Sequence, residues 1–160
     1  MTKHAIDNII NAIADLILEE HAKGYDGRIP ILPGGRIVFG PELANGSVAM
    51  TPGPGAPTDV HLDKGMVYRL PITINAKDGS METLLSSLYF IHEYLTQKLN
   101  YNDLVIPDTD EAASGDYQVV DIETTAAPTI VGREQSSANN SGWLAGSSIE
   151  VKFYWFIKNN

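Results

Sequence analysis

The stretch M-V-Y-R-L-P-I-T-I-N-A-K-D-G-S-M-E-T-L-L-S-S-L-Y-F-I-H-E-Y-L-T-Q-K-L, residues 66–99, changes period halfway, and that change decides the fold. Over 66–75, Met66, Tyr68, Leu70, Ile72 and Ile74 fall on one face and Arg69, Thr73 and Asn75 on the other, the two-residue period of a strand. Pro71 has no N–H to give, which pushes this strand towards a sheet edge or leaves its N–H side unpaired. Asp78-Gly79 then turns the chain and Ser80 is placed to cap a helix. Leu84, Leu88, Ile91, Leu95 and Leu99 recur at helical spacing over 81–99, and Asn100 and Asn102 suit its end.

Working upstream, residues 2–23 predict a second helix. Ile6, Ile9, Ile10, Ile13, Leu16 and Ile17 form one apolar stripe, with Thr2 as N-cap and Gly24 as stop. Gly27, Pro30, Pro33 and Gly34 make 25–35 a connection. Asn45-Gly46 predicts a hairpin joining a strand over 37–43 to one over 47–51, with Pro41 marking an edge or bulge. Three prolines and two glycines then exclude a helix or a paired central strand. Thr51, Pro52, Gly53, Pro54, Gly55, Ala56, Pro57 and Thr58 therefore read as a surface loop, or as an arm that docks on a neighbouring subunit.

Working downstream, 107–116 is an acidic loop, and 117–125 a strand with Val120 and Ile122 inward. Residues 126–146 read as rich in loop, with Ile130-Val131 as a possible strand end. Residues 148–158 close the chain as a strand: Ile149, Val151, Phe153, Trp155 and Ile157 share one face, and Glu150, Lys152, Tyr154 and Phe156 the other. The expected fold is α+β, a mostly antiparallel sheet of about four to five strands with two helices packed on one face. No internal repeat or boundary divides the 160 residues, so one domain over 1–160 is expected.

Composition narrows the function. Hydrophobic residues make up 43% of the chain and charged residues 19%, which separates it from disordered tails. With no cysteine, disulfides, thiolate zinc sites and thiol nucleophiles are excluded. The net charge of -9 opposes groove-type DNA binding, which needs a basic footprint. Asp7, Asp15, Glu19 and Glu20 break any signal-peptide core in the first helix, and no long apolar run predicts a membrane span.

Each chemical motif fails at a definite position. His92-Glu93 opens a zinc-protease helix, but Thr96 stands where the second imidazole must meet the metal one turn on. His4, His21 and His61 share no ligand spacing with it, and the four histidines read as surface or partly buried polar residues. A calcium loop counted from Asp108, through Asp110, Glu111 and Asp116, meets Ala113 where glycine is needed and Val119 where glutamate is needed. Gly53-Pro54-Gly55 lacks the third glycine of a dinucleotide fingerprint, since Thr58 stands there. Lys64-Gly65 reverses the P-loop order, and no G-x-S-x-G elbow occurs. The expectation is a protein that is not an enzyme, with no catalytic residue, metal or cofactor.

The order of elements carries a resemblance. Y-R-L-P-I-T-I-N-A-K-D-G-S-M-E-T-L-L-S-S-L-Y-F-I-H-E-Y-L, residues 68–95, runs from alternating strand to capped helix. An acidic loop follows, then Y-Q-V-V-D-I-E-T, then A-P-T-I-V-G-R-E with Pro128 and Gly132, then the aromatic last strand. This resembles the tail-terminator, or minor capsid, proteins of long-tailed bacteriophages across nearly the whole chain; the proline-glycine stretch at 51–58 is a departure from the pattern. The resemblance implies a virion protein of the phage neck, assembled in the host bacterial cytoplasm. It implies a ring, usually of six copies, that caps the tail tube, stops its polymerisation and meets the head-completion (stopper) protein. Partners would be further copies of the chain, the tail-tube protein and the stopper. DNA would pass through the channel without specific binding, and no membrane is involved. In that setting the 51–58 stretch is the candidate subunit contact. Alternatives are another neck or tail-tube component, a small ligand- or glycan-binding module built on Trp143, Tyr154 and Trp155, and a metal-dependent enzyme.

Overall fold

Strand β4, Met66–Asp78, is the spine of the molecule. In the computed structural model, which describes residues 3–40, 46–53, 56–60, 66–104, 117–134 and 142–155, it pairs along its whole length with β6, Gly142–Trp155, and on its other side with β2, Ser47–Pro52, and then β3, Ala56–Val60. Strand β1, Ile37–Phe39, flanks β2, and β5, Tyr117–Glu134, flanks β6. The order is β1-β2-β4-β6-β5, with β3 continuing the line of β2 along β4. All pairings are antiparallel except β1 with β2. Two helices, α1 (Lys3–Ala22) and α2 (Met81–Glu93), complete the α+β fold and pack on the sheet.

The two-residue period of β4 places Tyr68, Leu70, Ile72, Ile74 and Ala76 in the core, against Val48 and Met50 of β2 and Ile149, Val151 and Phe153 of β6. Tyr68 and Phe153 stack with ring centroids 5.6 Å apart. From the helices come Ile9, Ile10, Ile13 and Ile17, then Leu84, Leu88, Ile91 and Leu95. Ser80 caps α2 by accepting the Thr83 N–H at 3.3 Å. The helical path runs on past Glu93 through a wider π turn, Tyr94–Lys98, where Leu99 N–H reaches Tyr94 O at 2.8 Å.

The structure decides five expectations. Of the two readings of Pro71, the edge strand is wrong and the unpaired N–H side is right: the strand is central. The N–H and C=O of a strand residue point to the same side, and Pro71 O accepts from Gly53 N–H at 2.8 Å. Its missing donor therefore faces the interruption between β2 and β3, and no bond to β6 is lost. Second, no hairpin forms across Asn45-Gly46: β1 and β2 run parallel. Gly46 has φ +67°, as a turn glycine should, and its carbonyl oxygen lies where a Cβ on Gly34 would stand, so it is Gly34 that must be glycine for steric reasons as well. Third, the supposed loop over 126–146 is largely strand, since β5 runs to Glu134 and β6 starts at Gly142. Fourth, Val120 points outward and is 48% exposed while Val119 is buried, because the register of β5 shifts between Val119 and Asp121. Fifth, the stretch at 51–58 is mostly paired strand, as described next. Thr2, Pro41, the acidic loop 107–116 and the last residues 156–160 lie outside the described residues.

Candidate functional site

Of the 51–58 stretch, Thr51 and Pro52 end β2 opposite Thr73 and Ile72, and Ala56 and Pro57 open β3 opposite Arg69 and Tyr68. Thr58 falls at a register shift between Pro57 and Asp59, and Pro54 and Gly55 lie outside the described residues. Among the described residues Gly53 marks the break, close enough to β4 that an added Cβ would lie 2.8 Å from Pro71 Cγ. The described residues of the stretch thus close β2 and open β3 along β4. Prolines are tolerated because, among the described residues, no strand pairs with the outer side of β3.

His92 is the residue that sequence reasoning misplaced. In the sequence it reads as a surface or partly buried histidine, yet it is 4% exposed. It continues the four-residue line Leu84, Leu88, so it faces the sheet, and its Nδ1 lies 2.8 Å from Thr124 Oγ1 of β5. Its Nε2 is buried without a hydrogen-bond partner. Burial drives the imidazole from its ordinary 6.5 down to about 4, so it is neutral at physiological pH. Thr96, in the place of a second metal-binding imidazole, donates to His92 O at 2.7 Å. Among the described residues no group of three His, Asp or Glu side chains converges to hold a metal ion. His21 serves the backbone, with Nδ1 2.9 Å from Ile29 O.

A polar cleft of about 410 Å3 lies where the C-terminal end of α1 meets the π turn. Glu20 anchors it, taking Lys23 Nζ at 2.6 Å on one oxygen and the Arg28 N–H at 3.0 Å on the other. Burial pushes this carboxyl up, but the two donors together with the charges of Lys23 and Arg28 outweigh it and hold the group below the usual range. Tyr94, on the same wall, is pushed up to about 12 by burial and by Glu20, Glu19 and Asp103. Through its bonds to Lys23 and the Arg28 N–H, Glu20 ties the end of α1 to the chain that leaves it.

The aromatic platform does not assemble. Trp143 and Tyr154 sit at opposite ends of β6, opposite Asp78 and Val67, roughly 36 Å apart at strand rise. Trp143 is instead covered by the Arg133 guanidinium, 5.5 Å from its ring centroid.

Surface chemistry is more informative. The outer side of α2 carries a shallow groove of about 470 Å3 lined by Met81, Leu85, Tyr89 and Phe90 and rimmed by Glu82 and Glu93. Tyr89 is 54% exposed and Met81 nearly as much. The sheet also carries surface polar pairs, Arg69 with Glu150 at 2.7 Å and Thr125 Oγ1 2.7 Å from Ser148 Oγ, and on β5 the exposed Val120 and Val131. No helix among the described residues is long and apolar enough to cross a membrane. Comparison with protein-family models finds no matching family, and comparison with curated proteins finds no match.

Proposed function

We propose that the chain is a structural protein of the phage neck, a tail terminator whose copies close into a ring on the tail tube and present a surface to the stopper protein. The observation that carries this is the packing of the elements behind the resemblance. The strand–turn–capped helix of 66–93 and the hairpin of β5 with β6 lie side by side as one sheet with helices on it. The buried His92 held by Thr124 and Glu20 held by Lys23 and the Arg28 N–H favour a structural role, since both polar groups serve internal bonds. A surplus of 20 acidic over 11 basic side chains suits a wall past which DNA slides. Exposed apolar side chains on α2 suit a protein that works in contact with others.

The experiment is genetic. Interrupting the reading frame in the phage that encodes it should yield tails of unregulated, excessive length in electron micrographs, with heads unjoined. Tails of normal length, or none at all, would overturn the terminator assignment; absence of tube would point instead to a tail-tube component.

A further inference from the structure

Two surfaces of this chain complement each other. The outer side of α2 is apolar and acidic: Tyr89, Met81 and Leu85 line it, Glu82 and Glu93 rim it, and no Lys or Arg occurs between Met81 and Glu93. The segment 25–39 is apolar and basic. Tyr25 is fully exposed, Ile31 and Phe39 stand out of the surface, and Arg28 and Arg36 are exposed among them against the single acid Asp26. Within one copy the Pro33–Gly35 turn of this segment lies beside α2, whereas Phe39 belongs to β1 at one end of the strand order and α2 also lies over β4, β6 and β5. Both sets of side chains break the usual pattern in which large apolar groups are covered.

We infer that the α2 groove receives the 25–39 segment of a second copy of this chain, Tyr25 and Phe39 entering between Met81 and Tyr89 while Arg28 and Arg36 face Glu82 and Glu93. The contact joins unlike surfaces, so it propagates head to tail and closes where rotation brings the last groove to the first segment. An exposed aromatic with few rotatable bonds loses little entropy on docking and covers a large apolar area, which makes Tyr25 the natural anchor. This deepens the ring reading and rests on it for its biological setting, but the contact itself requires only the two surfaces.

Sedimentation of purified full-length protein tests it. Wild type should associate as concentration rises to the millimolar range. Tyr89→Glu should weaken association by roughly thirtyfold or more, as should Tyr25→Ser combined with Phe39→Ser. All these positions are exposed, so melting temperatures should stay near wild type. An equimolar mixture of the two variants should form one-to-one dimers and nothing larger, because one variant keeps an intact segment and the other an intact groove. Should either variant melt early, Glu82→Lys with Glu93→Lys replaces it; association should then fall, and return on adding Arg28→Glu with Arg36→Glu. A wild type that stays monomeric, variants that assemble like wild type, or a mixture that does not pair would each overturn the contact. Regulated tail length in the disrupted phage would sink the terminator reading and leave this contact standing; unimpaired assembly of the variants does the reverse.

Discussion

Replacing His92 by leucine should remove a defined part of the acid sensitivity of this fold. In the folded chain the imidazole protonates only near pH 4, because burial disfavours the cation. In the unfolded chain it protonates near pH 6.5. Between these values the unfolded state binds more protons, so stability rises with pH across that window. The contribution is whole above about pH 6.5 and is lost as pH falls towards about 4. The full displacement corresponds to at most roughly 3 kcal/mol. The exposed Thr124 beside the ring admits solvent screening, which brings the expected value to about 1–2 kcal/mol. At pH 8, His92→Leu forfeits the 2.8 Å bond to Thr124, a loss of about 0.5–1.5 kcal/mol. It also removes the unpartnered buried Nε2, a gain of about 1–3 kcal/mol, so the variant should equal or slightly exceed wild type there. Near pH 4.5 it should exceed wild type by a further 1–2 kcal/mol or so. Urea unfolding of both proteins at a series of pH values measures this directly, since every carboxylate common to the two cancels in the difference. Stability curves that stay parallel from pH 8 to 4.5 would show that the imidazole titrates normally, and the burial argument would fail.

Leu88 is fully buried at the centre of the α2 stripe, and Leu88→Asp should abolish folding because an unpaired buried charge costs several kcal/mol, a large share of about 5–15 kcal/mol of domain stability; a soluble variant with a cooperative melt would refute the core assignment. Gly24→Ala and Gly34→Ala separate two uses of glycine: both residues have φ near +67°, but Gly24 has open space around its Cβ position and Gly34 meets the Gly46 carbonyl. The first should cost about 1 kcal/mol in thermal melts and the second clearly more, and equal losses would show that backbone conformation alone decides.

The legible parts of the fold are those where one local rule acts alone. Over 68–75 the period of two coincides with burial on one side, and over 81–95 the period near 3.6 coincides with a cap at Ser80. The illegible parts are those where pairing partners distant in sequence decide. Pro71 looks like an edge residue until Gly53 is seen on its carbonyl. Val120 looks inward because alternation is counted through a bulge that only the β6 register defines. The parallel pairing of β1 with β2, beside which Gly34 and Gly46 meet backbone to backbone, is announced by no local pattern. His92 was within reach, since it stands four residues after Leu88 on the line from Leu84. Its polarity concealed it, although a histidine with one bond to Thr124 can be buried while neutral.

The edges of the sheet bear on how such a chain could assemble. A regular open edge is a template for unlimited strand addition. Here β5 carries four register shifts along its pairing with β6, and on the other side β3 carries Pro57 and a shift before Asp59. Each shift re-aims the ladder, and each proline removes a donor, so neither edge presents an unbroken row of N–H and C=O groups. Pro52 and Gly53 interrupt the same side further along β4. Continuous sheet growth is therefore opposed along β5 and along β3. Side-chain contacts of fixed geometry, such as an aromatic in the α2 groove, remain available and have a definite rotation between copies. The contact proposed between the side chains of α2 and of 25–39 needs neither of these edges.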